Sequence, residues 1–374
     1  MITARSDVVG SMLRPAELVE ARERLARGEL DRAAFKRIED SAVDAAIACQ
    51  EAAGMAVVTD GEQRRLSFQA QMVEAVDGFG AWDLDAFLWG DWQSDALGER
   101  RIERPALAVE SRLTRRRFLS VEEFVYARAR TRRIVKVTLP SPTLFSQFWD
   151  PVRSRAAYPT LESLIEDVAE VLRAEVEELV RLGATYVQID APHYPMFVDP
   201  AYRAVYEGRG WPAEDWLAFG LSYDNYVMSG HPEGVTFAFH LCRGNQMSRW
   251  LVSGGYDWLA ERLFPRVAAR RLMLEYDDER SGDFAPLRHL REDQMAVLGL
   301  VTTKSGRRET VDELAGRIAE AAREAPLERL ALSSQCGFAT SLLGNELTAD
   351  DQQAKLEAIA ATAERVWGEA AVRA

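Results

Sequence analysis

Eight short apolar runs, rich in β-branched residues, recur along the 374-residue chain. Each is followed by turn or polar residues and then by a longer segment of helical period. Strands buried on both faces appear as near-continuous apolar runs, and parallel strands need long, usually helical connections. Eight such units predict a single α/β domain of the (β/α)8 TIM-barrel type over residues 1–374. The runs lie at 8–11, 57–62, 134–139, 186–190, 237–242, 272–275, 297–301 and 330–336.

Two segments depart from this regular alternation. Residues 15–39 begin at a proline and keep a helical pattern, which predicts a helical N-terminal entry to the barrel. Residues 66–133, after the second run, are too long for a simple loop and include an aromatic-rich part at 79–92. We expect an insertion there, acting as a lid over the barrel mouth or as a surface between copies in a homo-oligomer.

Composition narrows the range of partners. A formal charge of −13 argues against nucleic-acid binding, which requires clustered basic residues that outweigh the acids. The short basic run at 112–117 has two interpretations, a solvated surface and an anion site, and the first is commoner. No stretch reaches the roughly 20 apolar residues of a membrane helix, and residues 1–14 show no secretory signal, so we expect a cytoplasmic protein.

Two of the three cysteines follow predicted strands. His240 and Cys242 stand two apart at the end of the fifth run, so their side chains point to the same side, and Cys336 ends the eighth run. Two thiolates and one imidazole are a ligand set for catalytic Zn²⁺ whose fourth position stays open to substrate. Glu275, which ends the sixth run, is a natural occupant of that position at rest. The alternative is that these side chains are ordinary core residues.

Other strand ends would line the same mouth. Ser11, Glu62 and Asp190 end the first, second and fourth runs. The carboxylates at the second and fourth ends could hold a cationic group such as an α-amino group. The alternative for Asp60 and Glu62 is an ordinary turn with a capping carboxylate.

Four further side chains have a functional and a plain interpretation. His193 could donate or accept a proton, or be a solvated loop residue. Arg243 and Asn245 flank a glycine that permits a tight turn and could contact a substrate, or the segment could be only a turn. Lys304 could supply positive charge at the mouth, although a surface lysine is the commoner case.

At these residues the chain resembles the zinc-dependent, cobalamin-independent methionine synthases, in particular their shorter, single-barrel members. The resemblance spans nearly the whole chain and is carried by motifs at 9–11 with 14–15, 60–62, 188–190, 240–245, 274–277, 297–299 and 335–337. It implies zinc bound by His240, Cys242, Glu275 and Cys336. It also implies homocysteine held by the residues that match the family pattern at Ser11, Glu62 and Asp190.

The chain departs from the long members of that family at two places. Ala191 stands where they have Glu between Asp and Pro, and Lys304 lies in the region of their histidine after the seventh strand. The resemblance therefore leaves the methyl donor open. The expected activity is transfer of a methyl group to homocysteine, giving methionine. The alternatives are a zinc-dependent alkyltransferase acting on another thiol or electrophile, as in epoxyalkane:coenzyme M transferases, and a non-catalytic metal- or thiol-binding barrel.

Overall fold

A computed structural model of the chain describes residues 2–80, 89–103, 105–208 and 210–368. It confirms the TIM-type barrel, because eight parallel strands lie side by side in the order β1-β12-β11-β10-β9-β8-β7-β2 and helices lie between them. The two end strands, β1 and β2, pack against each other, so the barrel is nearly closed. The barrel strands are β1 (Ser6–Asp7), β2 (Val57–Val58), β7 (Ile134–Pro140), β8 (Tyr186–Asp190), β9 (Thr236–Leu241), β10 (Arg271–Glu275), β11 (Met295–Val301) and β12 (Leu330–Ser334).

Four more strands, β3 (Val76–Phe79), β4 (Gly90–Trp92), β5 (Arg100–Ile102) and β6 (Val109–Arg115), lie outside the barrel. They form two antiparallel pairs, β3 with β6 and β4 with β5. All four fall within residues 66–133, the segment that we expected to be an insertion. Residues 81–88 of its aromatic part lie outside the described residues, and its role as a lid or as a surface between copies stays a prediction.

Helices cover the outside of the barrel, and two of them, α1 and α2, form the helical N-terminal entry. Capping residues fix several starts: Thr160, Thr310 and Thr348 each accept a hydrogen bond from a backbone N–H of the first turn. No helix in the described ranges is long and apolar enough to cross a membrane. The helices are α1 (Ala16–Ala26), α2 (Arg32–Ala52), α3 (Ala70–Ala75), α4 (Val121–Arg128), α5 (Leu161–Arg181), α6 (Pro200–Glu207), α7 (Ala213–Met228), α8 (Asp257–Leu263), α9 (Val311–Ala321) and α10 (Ala349–Trp367).

Alternation along the strands separates the barrel interior from the layer under the helices. On β9, Phe237, Phe239 and Leu241 belong to the large cluster that packs against the helices, whereas Ala238 belongs to a smaller cluster inside the barrel. With a side-chain period of two, His240 therefore points inward, above Ala238. The interior cluster contains Ala4, Val9, Ala56, Val57, Tyr186, Ala238, Met273, Met295, Val297 and Ala331.

A buried ionic cluster occupies the bottom of the barrel. The carboxylate of Asp7 on β1 accepts from Lys136 Nζ at 3.0 Å, Arg271 Nη2 at 3.1 Å and Tyr186 Oη at 2.6 Å. Burial opposes its ionisation, but the charges of Lys136 and Arg271 outweigh burial and hold the pKa of Asp7 below its usual value. These partners belong to β7, β10 and β8, so one carboxylate ties four strands together across the barrel.

We expect Asp7→Asn to lower the free energy of unfolding by about 3–5 kcal/mol, because it leaves the charges of Lys136 and Arg271 buried without their counter-ion. Chemical denaturation followed by circular dichroism measures this. The control is Glu214→Gln, which breaks the exposed 2.9 Å pair with Arg262 and should cost less than about 1 kcal/mol. Equal effects of the two variants would contradict the role given to the Asp7 cluster.

Candidate active site

The carboxyl ends of the barrel strands meet at one face, and they bring together most of the predicted site residues. A cleft of about 790 Å³ opens there. Of the residues predicted from the sequence, Ser11, Glu62, Asp190, His193, His240, Cys242, Arg243, Asn245 and Cys336 all line it, and Glu275 and Lys304 are absent from its lining. Because parallel strands end at the same edge, residues distant in sequence become neighbours in this cleft.

Three of the lining residues form a compact group with metal-ligand chemistry. The ligand atoms of His240, Cys242 and Cys336 all lie within 4.8 Å of one another, and all three side chains are buried. His240 lies at the end of β9, and Cys242 follows that strand on the same side. Cys336 follows β12, which β10 and β11 separate from β9 around the barrel. Two ligands around a tetrahedral zinc with sulfur bonds of about 2.3 Å would lie ~3.8 Å apart, so the spacing suits such an ion.

The electrostatics of the group also suit a cation. Neither ring nitrogen of His240 has a hydrogen-bond partner in the described part of the chain, although the ring is buried, and such an unpaired polar group calls for a ligand. Contact with the Cys336 thiol and the charge of His240 lower the pKa of Cys242 well below its usual value. A cysteine of lowered pKa close to a buried imidazole has the chemistry of a pair of metal ligands.

Glu275 lies outside that group. Its carboxylate is fully buried and accepts from the backbone N–H of Arg243 at 2.5 Å and from Lys304 Nζ at 3.1 Å, with Arg280 at 3.6 Å. Burial acts to raise its pKa, but the charges of Lys304 and Arg243 prevail and lower it to about 2. Its role as the fourth metal ligand stays a prediction, because in this structure cations and a backbone amide hold the carboxylate.

Lys304 is therefore not an ordinary surface lysine. Its side chain is only 8% exposed, and its ammonium group contacts Glu275 and, at 3.5 Å, Asp277. Lys304, which follows β11, thus pairs with two carboxylates at the end of β10.

Two carboxylates line the opposite part of the cleft. Asp190, at the end of β8, accepts from Gln188 Nε2 at 2.7 Å, and its second oxygen has no hydrogen bond to a protein group in the described ranges. Burial, assisted by the nearby charge of Glu62 and opposed by His240, raises the pKa of Asp190 to about 7. Glu62 Oε1 accepts from Thr138 Oγ1 at 2.6 Å, and Oε2 is buried without a partner among the residues described. These unpaired oxygens are acceptors for a cationic group.

The backbone around these groups is shaped for close approach. Glu62 has φ of +53°, a conformation that non-glycine residues adopt rarely and that concentrates at functional sites. A Cβ on Gly337 would lie 2.1 Å from Ser11 Oγ, so the segment after Cys336 needs glycine to pass beside Ser11. The hydroxyl of Ser11 accepts from Ala339 N at 3.3 Å.

His193 lies on the loop after β8, and burial lowers its pKa to about 3, so the ring is neutral at physiological pH. Its Nε2 contacts Thr143 Oγ1 at 2.9 Å, and its Nδ1 has no partner among the described residues. His193 is therefore buried and not solvated, and its Nε2 is hydrogen-bonded to Thr143.

Arg243 and Asn245 differ in what they offer a substrate. The guanidinium of Arg243 donates to the carbonyl oxygens of Gly254 at 2.6 Å and Ser281 at 3.3 Å and lies over the ring of Tyr256. The protein's own carbonyl groups therefore use the guanidinium donors, and a contact of Arg243 with substrate stays a prediction. Asn245 donates to Thr303 Oγ1, and its own amide oxygen is buried without a partner within the described ranges.

Sequence reasoning missed much of the apolar wall of the cleft, because these residues lie outside the barrel strands and no sequence pattern shows that they come close to the mouth. Trp92, for example, belongs to β4, in the segment that we expected to be an insertion, and only the fold brings it beside Gly244. The missed lining residues are Phe68, Trp92, Leu144, Gln147, Pro192, Met196, Leu251 and Thr340.

A TIM barrel with one imidazole and two cysteine sulfurs buried together at its carboxyl face has a group that could hold a metal ion. The family model described as "Cobalamin-independent synthase, Catalytic domain" matches residues 1–230. YxjH of Bacillus subtilis is 33% identical over 97% of this chain and 94% of its own. The methionine synthase of Pyrococcus abyssi is 25% identical, over 89% of this chain and 86% of its own.

A solved B12-independent methionine synthase from a Shewanella species superposes with a TM-score of 0.72, at 20% identity over 99% of each chain. This likeness supports the barrel fold. The chain belongs to the cobalamin-independent synthase family and is a methyltransferase.

We expect the purified protein to hold about one zinc ion per chain, and Cys336→Ser and His240→Ala each to lose most of it. Elemental analysis after dialysis measures the content. Cys49→Ser is the matched control, because Cys49 contacts Gln353 and lies outside the three-residue group. If the wild-type protein held no metal, or if all variants held equal amounts, the three side chains would not be metal ligands.

Proposed function

We propose that this protein transfers a methyl group to the thiol sulfur of homocysteine, with zinc held by His240, Cys242 and Cys336. The observation that carries the proposal is the group of three buried ligand atoms within 4.8 Å of one another. The same cleft holds two carboxylates, Asp190 and Glu62, each with one oxygen that has no hydrogen bond among the described residues. Zinc, when bound there, would lower the pKa of an incoming thiol so that the sulfur reacts as a thiolate. The name of the Pyrococcus relative, methionine synthase, supports methionine as the product.

The protein's own groups would orient the acceptor. The α-amino group of homocysteine would bind the free oxygens of Asp190 and Glu62 through charge-assisted hydrogen bonds. The nearby Ser11 hydroxyl is a further polar contact for that end of the molecule. Fixing the amino acid at this end directs its thiol to the three-residue group, and such positioning supplies much of the rate enhancement of a two-substrate reaction.

The methyl donor would lie against the apolar wall of the cleft, formed in part by Phe68, Trp92 and Met196. The sulfur attacks the methyl carbon in line, so an S–C bond forms while the bond from that carbon to the leaving group breaks. We assign to His193, which lines the same cleft, the transfer of a proton to the leaving group. The apolar surroundings exclude water, which strengthens the electrostatic interactions of the reacting groups.

Zinc-edge absorption of the zinc-loaded protein, with and without homocysteine, tests the acceptor. We expect one additional sulfur ligand when homocysteine is present, and methionine as the product once a donor is added. The first donor to assay is a 5-methyltetrahydropteroyl glutamate. An unchanged sulfur count would contradict thiol activation. An added sulfur without methionine from any donor would indicate a thiol-binding barrel, and product from another thiol or electrophile would indicate a related alkyltransferase.

Asp190→Asn should raise the KM for homocysteine about ten- to a hundredfold, because a charge-assisted hydrogen bond is worth about 1.5–3 kcal/mol. The control is 4-mercaptobutyrate, which keeps the thiol and the carboxylate but lacks the amino group. The KM for 4-mercaptobutyrate should be the same in the wild type and in Asp190→Asn. A parallel loss with both thiols would mean that Asp190 supports the site in another way and does not bind the amine.

A further inference from the structure

A continuous chain of side-chain contacts leads from the cleft into the protein behind His193. His193 Nε2 lies 2.9 Å from Thr143 Oγ1, which lies 3.4 Å from Tyr194 Oη. Tyr194 Oη in turn lies 2.6 Å from Asp224 Oδ2. All four side chains are buried, and they come from the segment after β7, the loop after β8 and the middle of α7.

The carboxyl group at the inner end has an unusual environment. Asp224 is completely buried, and its Oδ1 has no hydrogen-bond partner in the described part of the chain. The groups that act on its ionisation are the hydroxyls of Tyr194 and Ser141, and no charged side chain is among them. Burial therefore prevails and raises the pKa of Asp224 to about 7. A carboxyl group in this state can both lose and regain a proton near neutral pH.

Helix α7 is built to receive this chain. Gly220 lies four residues before Asp224, on the same face of the helix. A Cβ at position 220 would lie 2.2 Å from Tyr194 Oη, so the absence of a side chain there makes room for the phenol. Asp224 takes a place on the apolar stripe of α7, among the buried residues Trp216, Leu217, Gly220, Leu221, Asp224, Val227 and Met228. A packing role alone does not require a carboxylic acid at that position.

We propose that His193, Thr143, Tyr194 and Asp224 form a proton relay in which Asp224 stores the proton that the thiol loses and later returns it to the leaving group. This inference rests on the proposed methyl transfer. It assigns to Tyr194 and Asp224, which do not touch the substrate, a positioning and proton-storing role that acts through His193.

The protons balance in both directions. When the thiol binds, its proton passes to His193 Nδ1, Nε2 gives its proton to Thr143, Thr143 gives one to Tyr194, and Tyr194 gives one to the Asp224 carboxylate. During methyl transfer each shift reverses, and Nδ1 protonates the leaving group. The sum is thiol plus methylated donor giving thioether plus protonated leaving group, without exchange of a proton with solvent. Burial lowers the pKa of His193 and so disfavours the imidazolium form. A proton taken up at Nδ1 is therefore passed on through Nε2 and not stored on the ring.

Hydrogen–deuterium exchange of the Asp224 carboxyl group, followed by infrared spectroscopy of the zinc-loaded protein without thiol, tests the relay. Near neutral pH we expect a protonated-carboxyl band that disappears in Asp224→Asn. After transfer to D2O this band should shift rapidly in the wild type. It should shift about tenfold more slowly, or slower still, in Tyr194→Phe and Thr143→Val, because each removes one hydroxyl while keeping the shape of the side chain.

The sign of the change separates a relay from a structural role. If these hydroxyls only stabilise packing, their loss loosens the protein and exchange becomes faster. Tyr158→Phe is the matched control, since it removes a hydroxyl that contacts Asp167 at 2.8 Å outside the cleft, and its exchange should equal that of the wild type. Unchanged or faster exchange in Tyr194→Phe, or a band unaffected by Asp224→Asn, would overturn the relay.

The zinc-edge experiment with homocysteine judges the methyl transfer separately, because the exchange measurement uses no thiol and no donor. With an active donor, Tyr194→Phe and Asp224→Asn should lower kcat and leave the KM for homocysteine unchanged. A rise in that KM at constant kcat would assign these residues to substrate binding and contradict the relay.

Discussion

The carboxylate of Asp7 is the interaction on which the barrel depends most. It lies on a strand of only two residues, which offers few backbone hydrogen bonds to its neighbours. The side-chain contacts of Asp7 with Lys136, Tyr186 and Arg271 hold this strand against three others across the interior. β1 and β2 close the barrel without being paired as neighbouring strands of the sheet. The cluster at the bottom therefore helps to fix the positions of Ser11 and Glu62 above those strands.

The two ends of the barrel differ in how their buried polar groups are paired. At the bottom Lys136 and Arg271 both pair with the Asp7 carboxylate, which links their strands. At the top, polar atoms of His240, Glu62 and Asn245 are buried without partners among the residues described. Buried polar groups without partners cost free energy, and folds retain them where a ligand will satisfy them. The unpaired polar atoms therefore mark the carboxyl face of the barrel as the ligand-binding end.

The eight runs predicted the barrel because a strand buried on both faces has a near-continuous apolar pattern. The side-chain period of two predicted that His240 and Cys242 point to the same side. The partners of Glu275 and Arg243 could not be predicted, because they depend on how distant loops fold back over the strand ends. Asp224 did leave a signal: it falls on the apolar stripe of an amphipathic helix, where a carboxyl group needs an explanation. Its partner Tyr194 had no such signal in the sequence.

The direction of the basic side chains decides which ligands the cleft can accept. Arg243 gives its guanidinium to backbone carbonyls, and Lys304 faces Glu275 and Asp277. Arg65 pairs mainly with Glu123 at 2.7 Å and reaches Glu62 only at 3.5 Å. Within the described ranges, these nearby cations are thus engaged by the protein, whereas carboxylates and cysteines face the cleft. The carboxylates of Glu62 and Asp190 would attract an ammonium group or a metal dication more than an anionic tail such as a sulfonate. This charge distribution supports the proposal that the acceptor thiol carries an amine.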